Sequence, residues 1–400
     1  MNVESIYNIY VPFRDRWYVY NTASGAFASL NQDYLVESPE ALQAGFYVPQ
    51  EVDEVGRILS LMEKNMNLPI RELDVTVLLT ECCNFQCVYC YQDKAKHQVF
   101  SVQDITYLMG RLQQSALHGV QSFYIHYFGG EPLLNQPVMF ELHRKMKDFA
   151  REQAVAYHPV ITTNGSLMTK EILRTMQFEK IQLTFDGSRF WHPKLKRASD
   201  FGYDDLMQKV QLVLLESDAQ LRIRFNLCKE NAQSFKETID EVLSLPEFDW
   251  ERVEFQIQDL VNRTGTNLFH PLDPEAYAQF QFELYHYLQC RGFKMKLPRA
   301  LTQPCKFISG RAIVMNPGGK ASFCTTESRE VNPEDVFVAP HQLPHRREVL
   351  PEVCHHCQIL PLCLGGCKVR ERGTTGCVPF KYTLKSILTD YLVNPGHWRL

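Results

Sequence analysis

No apolar run in this 400-residue chain approaches the roughly 20 residues of a membrane span, so no helical anchor is expected. Positive charge is not in excess either: 42 Lys and Arg face 46 Asp and Glu, for a net charge of −4. That balance argues against a general binder of nucleic acid or membrane surfaces and leaves room only for a local basic groove. Low-complexity tracts and close internal repeats are also missing. The first residues, with Glu4, Arg14 and Asp15 among their aromatics, do not read as a secretory signal, and a cytoplasmic location is expected. What the chain does have is apolar substance. A hydrophobic content of 45% with 12% aromatics supports a sizeable core and argues against disorder. The length suggests two or three domains.

Cysteine is the unusual component. Of 13 cysteines, four lie in 82–90 and seven in 305–377, and only Cys228 and Cys290 stand apart. A disulfide framework usually accompanies a small secreted domain, which this chain is not. Clustered thiols in a reducing compartment read as metal ligands.

Three parts follow from the pattern. Residues 1–70 read as a small α+β unit, with strands at 7–11 and 17–20, a hairpin turn at 21–25, and helices around 33–44 and 51–65. From 71 to 297 strands alternate with helices. The strand candidates are 73–79, 123–128, 159–162, 181–185, 221–227 and 253–257. The helical patterns lie near 101–116, 135–151, 168–176, 203–217, 231–244 and 274–291. Six such units imply a parallel sheet with right-handed crossovers, hence an α/β fold of the partial (β/α)6, TIM-like barrel type. The chemistry of such folds sits in loops after the strands' C-terminal ends. From 298 to 385 the periodicity fades and Cys, Gly and Pro punctuate short segments, a composition that leans on metal for stability. Residues 386–400 read as a tail.

The first motif follows the first barrel strand directly. Cys83, Cys87 and Cys90 have the spacing C-x3-C-x2-C. Three thiolates hold three irons of a [4Fe–4S] cube and leave the fourth open, and an open metal site is a reactive one. The alternative is zinc with Cys82 or a histidine as fourth ligand, although adjacent Cys82 and Cys83 point in divergent directions.

Here the sequence resembles the radical S-adenosylmethionine enzymes, whose signature is this triad. The resemblance implies that S-adenosylmethionine chelates the open iron and is cleaved to a 5′-deoxyadenosyl radical, which abstracts hydrogen from an unactivated C–H. It places Tyr89, the aromatic before the third cysteine, near adenine. Gly129-Gly130-Glu131-Pro132 matches the family's GGEP motif, in which backbone carbonyls and Glu131 accept from the cofactor's ammonium and the glycines permit close approach. The run 162–165, with Asn164, and the pair Asp186-Gly187 resemble the family's next strand-end motifs. Arg224 and Asn226 alternate with apolar neighbours on the fifth strand and face the barrel interior. A buried arginine needs a partner, either the cofactor carboxylate or a structural ion pair.

The second cysteine window is similar to the SPASM extension of radical enzymes that modify peptides and proteins. That resemblance implies two auxiliary [4Fe–4S] clusters, three in all. Cys305, Cys324 and Cys367 would hold the first auxiliary cluster; Cys354, Cys357, Cys363 and Cys377 would hold the second. Zinc ribbons completed by His355 or His356 are the alternative. No cysteine occurs in 306–323, so the first auxiliary cluster is expected to keep an open iron. The resemblance further implies a ribosomally made precursor peptide with a leader as substrate and an external flavodoxin- or ferredoxin-type electron donor. It implies neither nucleic acid nor membrane as partner. The expected product is a thioether, ether or C–C crosslink, with peptide epimerisation or formylglycine formation as alternatives. Thr325 follows Cys324 where formylglycine-forming enzymes carry an aspartate, which weakens that last reading. Residues 1–70 would recognise the leader by strand addition or simply cover a barrel end. A non-enzymatic electron carrier would need neither the GGEP motif nor an open cluster. No acid or base is assigned, with Glu327, Asp186 and several tyrosines all available.

Overall fold

A computed structural model describes residues 1–30, 34–92, 97–263, 265–331, 350–367 and 377–399, without the side chains of 327–331. The chain forms two compact units. One comprises Met1–Leu68, Asp273–Cys305 and Pro344–Leu400, and the other Pro69–Leu272 with Lys306–Leu343.

The first unit begins with β1 (Asn2–Glu4), β2 (Asn8–Phe13), β3 (Arg16–Asn21), β4 (Phe27–Ser29), α1 (Pro39–Gln43), β5 (Tyr47–Pro49) and α2 (Glu54–Met66). β2, β3 and β4 form an antiparallel sheet, and β1 pairs with β5. The 21–25 run turns β3 into β4. The first hairpin instead turns at Arg14, whose φ of 54° is left-handed, so the sequence pattern located a turn one strand too late. The helix expected around 33–44 begins only at Pro39, because Ser38 caps it by accepting from the Ala41 N–H. Residue 33 of that expectation lies outside the described residues.

The second unit carries the barrel elements: β6 (Glu72–Thr80), α3 (Val102–Leu117), β7 (Ser122–Gly129), α4 (Gln136–Gln153), β8 (Ala156–Thr163), α5 (Lys170–Met176), β9 (Lys180–Phe185), α6 (His192–Lys196), α7 (Tyr203–Glu216), β10 (Gln220–Leu227), α8 (Phe235–Leu243) and β11 (Val253–Asp259). The six strands are parallel, each beside its successor, so all six expected strands exist within a few residues of their forecast ends. Their alternation is functional. Phe123, Ile125 and Tyr127 on one face of β7 are fully buried, and His126 between them points to the other face and bonds Thr162 at 2.8 Å. Polar Gln182, Thr184 and Asn226 line that same inner side.

The sheet does not stop at six strands. After α10 (Lys306–Ser309), β13 (Ala312–Asn316) pairs in parallel with β6, and β14 (Lys320–Cys324) and β15 (Glu327–Val331) continue antiparallel to give nine strands. The sequence around 312–315 is a short apolar run without periodicity, so its strand character emerges only from burial against β6.

The first unit resumes with α9 (Pro274–Gln289), β12 (Met295–Lys296), α11 (Glu352–His355), α12 (Leu360–Cys363), α13 (Phe380–Val393) and β16 (Trp398–Arg399). α13 runs unbroken through residue 386. The N-terminal hairpin packs onto this region: Ile9, Val11 and Tyr20 share a core with Leu362, Leu384 and Leu388. Two hydrogen bonds stitch the same contact, Gln358 Nε2 to the Asn8 carbonyl at 2.6 Å and Thr22 Oγ1 to the Gln358 carbonyl at 2.5 Å. No helix among the described residues is long and apolar enough to cross a membrane.

Candidate functional site

The C-terminal ends of the parallel strands converge on the loop bearing Cys83, Cys87 and Cys90. Four neighbouring segments hold that loop in place. From the end of β7, the Gly130 N–H donates to the Thr80 carbonyl (2.8 Å) and the Glu131 N–H to the Cys82 carbonyl (2.9 Å). Glycine is required for this approach: a Cβ at Gly129 would stand 2.3 Å from the Thr80 oxygen, and one at Gly130 would stand 2.1 Å from the Cys82 oxygen. From the end of β8, Asn164 Nδ2 donates to Asn84 Oδ1 (2.9 Å), and Asn84 Nδ2 donates to Ser166 Oγ (2.9 Å). From α6, the Leu195 and Arg197 carbonyls accept from the Val88 (2.9 Å) and Gln86 (3.3 Å) N–H groups on either side of Cys87. From the end of β9, Asp186 accepts from the Tyr89 hydroxyl at 2.5 Å.

Glu131 joins two strand ends. It is fully buried, and its carboxylate accepts from the Leu133 N–H (3.1 Å), the Thr163 hydroxyl (2.7 Å) and the Asn164 N–H (2.8 Å). Burial pushes its carboxyl up, and those donors pull against the shift. Pro132 follows in a short 3-10 turn, Pro132–Asn135. The side chain expected to face a cofactor is thus engaged within the fold, and the glycines' close approach is to the backbone at 80–82.

Behind the triad lies a polar network. Asp186, wholly buried, receives Tyr89 on one oxygen and Asn226 Nδ2 on the other (3.2 Å), and Arg224 Nε donates to Asn226 Oδ1 (2.9 Å). Burial raises the Asp186 carboxyl, opposed by Lys196, Tyr89 and Asn226. The Tyr89 ring meets Phe269 edge-on at 6.2 Å. Lys196 on α6 is buried, with Nζ 3.9 Å from Asp186 Oδ2. Burial pushes the Cys87 thiol up to about 11 and also raises Cys83, while the Lys196 charge lowers both. In the metal-free fold these thiols are therefore held protonated, and loading a metal releases protons. Cys82 takes another direction, toward His97 Nδ1 at 3.6 Å.

The remaining cysteines are distributed between the units. Cys324 ends β14, and Cys305 and Cys367 belong to the other unit. Cys354, Cys357, Cys363 and Cys377 all lie in that unit, and they sense one another. The Cys363 thiol is pushed up to about 11 by burial first and then by the charges of Cys357, Cys354 and Cys377. All 13 cysteines are free thiols. Among the described residues no three His, Cys, Asp or Glu side chains gather around a single ion. An iron–sulfur cube makes a different demand, one thiolate at each of separate corners. The donor set at 83–90 fits such a cube: soft thiols only, on one braced loop, beside carboxylates already engaged by protein donors.

Residues 77–186 match the family model of the Radical SAM superfamily. The chain carries a radical SAM domain. That match takes in the triad, the Gly-Gly-Glu-Pro run and the β8 and β9 strand ends. No curated protein matches the chain. Among solved structures, native anSMEcpe with bound AdoMet superposes with a TM-score of 0.60 at 15% identity, over 81% of this chain and 99% of that one. Streptococcus suis SuiB bound to precursor peptide SuiA superposes with a TM-score of 0.56 at 15% identity, over 94% and 98% of the two chains. At these identities the likeness is one of fold, and it extends beyond the radical SAM domain to nearly the whole chain.

Sequence reasoning missed Lys196 and His192, which lie just beyond the matched residues. His192 Nδ1 accepts the Asp186 N–H at 3.2 Å and so must be neutral, and burial lowers it to about 3. Both residues follow Asp186-Gly187 closely on a five-residue helix, too short to show periodicity. Tyr91 was also missed. It closes the triad loop directly after Cys90 and is 39% exposed.

Proposed function

We propose that this chain is a radical S-adenosylmethionine maturase that modifies a ribosomally made precursor peptide. The observation that carries the reading is the triad loop itself, three half-buried thiols held by three strand ends and α6, within a stretch that matches the radical SAM model. Cys83, Cys87 and Cys90 would hold the cluster, and the neighbouring strand ends, with Tyr89, Asn164, Arg224 and Asn226, would receive S-adenosylmethionine. When bound, the pair supplies a 5′-deoxyadenosyl radical for hydrogen abstraction. The chain's own contribution is placement. Gly129, Gly130 and Glu131 fix the loop's entry, and Asp186 orients the Tyr89 hydroxyl. The polar inner face of β7–β10 offers donors and acceptors to a ligand. A peptide substrate is supported by SuiB, whose structure holds its precursor peptide, and by the match over 94% of this chain. Cys354, Cys357, Cys363 and Cys377 would hold an auxiliary cluster. From the sequence motif alone, Cys305, Cys324 and Cys367 would hold another. A crosslink is the product we favour, since Thr325 stands where formylglycine formation calls for an acid.

The test has two stages. The anaerobically reconstituted, reduced chain should convert S-adenosylmethionine to 5′-deoxyadenosine. Co-expression with small peptides encoded beside it should then give one with a mass change and a mapped crosslink. Unmodified peptides together with active cofactor cleavage would refute the peptide assignment.

A further inference from the structure

We infer that Lys196 is the built-in counter-charge of the triad loop and makes the cluster held there easier to reduce. The inference rests on the reading that Cys83, Cys87 and Cys90 carry a cluster.

The geometry comes first. The Val88 N–H bonds the Leu195 carbonyl at 2.9 Å and the Gln86 N–H bonds the Arg197 carbonyl at 3.3 Å, so Cys87 and Lys196 are the middle residues of two segments bound at both flanks. The Lys196 side chain is 7% exposed, an unusual place for an ammonium. An ammonium offers three donors, yet among the described residues Lys196 makes no hydrogen bond. Its nearest anion, Asp186 Oδ2, is 3.9 Å away, beyond hydrogen-bond range. Both Asp186 oxygens already accept, from Tyr89 and from Asn226. The Asp186 carboxylate beside it favours the charged ammonium against the cost of burial. The cation pairs with Asp186 and sits on the residue opposite Cys87 in the two facing segments.

A fixed positive charge in a desolvated site favours whichever redox state is more negative. Three thiolates already load this loop with negative charge, and reduction adds one electron from a low-potential flavodoxin- or ferredoxin-class donor. Lys196 stabilises that added charge. Its position on the helix that braces the loop keeps it there without an ordering cost at the moment of reduction.

The experiment is an EPR-monitored redox titration of the full, reconstituted chain without S-adenosylmethionine. The spectrum of the C83A/C87A/C90A variant is subtracted to isolate the triad cluster. Lys196→Met should retain wild-type iron content but shift the reduction equilibrium toward the oxidised state by about tenfold or more, about 59 mV for a one-electron couple. Lys196→Arg should restore the wild-type potential, because it restores the charge. Lys196→Met with a loaded cluster and an unmoved potential would overturn the inference. Should Lys196→Met fail to hold its cluster, Asp186→Asn decides. Removing the competing negative charge should raise the potential, and no rise would count against the inference. A wild-type chain with no triad-dependent signal would overturn the cluster reading itself, and with it this inference.

Discussion

Replacing Gly130 by Ala tests the bracing of the triad loop most sharply. The added Cβ would lie 2.1 Å from the Cys82 carbonyl oxygen and 2.5 Å from its carbon, and both are backbone atoms that cannot rotate away. Either β7's end or the triad loop must move. Overpacking of this kind costs about 1–3 kcal/mol. The Gly130-to-Thr80 and Glu131-to-Cys82 bonds would lose alignment, at about 0.5–1.5 kcal/mol each. The expected total is about 2–6 kcal/mol, with the loop as the site of damage. Gly110 is the internal control. It lies exposed within α3 with nothing within 4 Å of its would-be Cβ, so Gly110→Ala should stabilise by about 0.5–1 kcal/mol. The assay pairs anaerobic urea unfolding of the metal-free chain with iron content after reconstitution. Equal stability and equal iron loading in the two variants would refute the argument that glycine is there to let the backbones approach.

Thr163→Val leaves the buried Glu131 carboxylate one donor short and should cost about 1.5–3 kcal/mol, read by the same unfolding assay. His192 gives a pH prediction. Its folded value of about 3 lies below the ordinary 6.5, so its stabilising contribution is full above pH 6.5 and declines on acidification. The slope reaches about 1.4 kcal/mol per pH unit midway between those two values and fades as pH nears 3. His192→Gln should flatten the acid limb of stability against pH, and an unchanged slope would contradict this. Tyr20→Ala removes a buried ring from the core shared with Leu362, Leu384 and Leu388 and breaks the bond to the Pro298 carbonyl. It should destabilise the first unit by about 3–5 kcal/mol. Iron loading of a variant lacking Cys83, Cys87 and Cys90 should then fall, because α12 and Cys357 pack on the same core, and unaltered loading would disprove that dependence.

The parts of this fold that announced themselves were the periodic ones. All six parallel strands of the second unit and the longer helices between them follow hydrophobic patterns. β13 was hidden because its four buried residues gain strand character only by lying beside β6. The N-terminal hairpin was visible, but its packing on 354–363 was not, since pattern reading pairs neighbours in sequence and this contact spans more than 300 residues. At the site, spacing located the thiols and the strand-end motifs. It could not say what those motifs grip. Glu131 looked like a ligand-facing acid, and it lies buried between two strand ends. In the sequence Lys196 stands among the basic residues Lys194 and Arg197 with nothing to distinguish it, and its burial sets it apart.

The central claim is that Cys83, Cys87 and Cys90 hold a cluster with one open iron that meets S-adenosylmethionine. EPR of the reduced, reconstituted chain before and after adding S-adenosylmethionine tests it most directly, alongside the C83A/C87A/C90A variant. The account predicts that one cluster signal changes on addition, and that this signal and all 5′-deoxyadenosine formation vanish together in the triple variant while the remaining iron stays. Cofactor cleavage persisting in the triple variant, or a wild-type spectrum indifferent to S-adenosylmethionine, would contradict it.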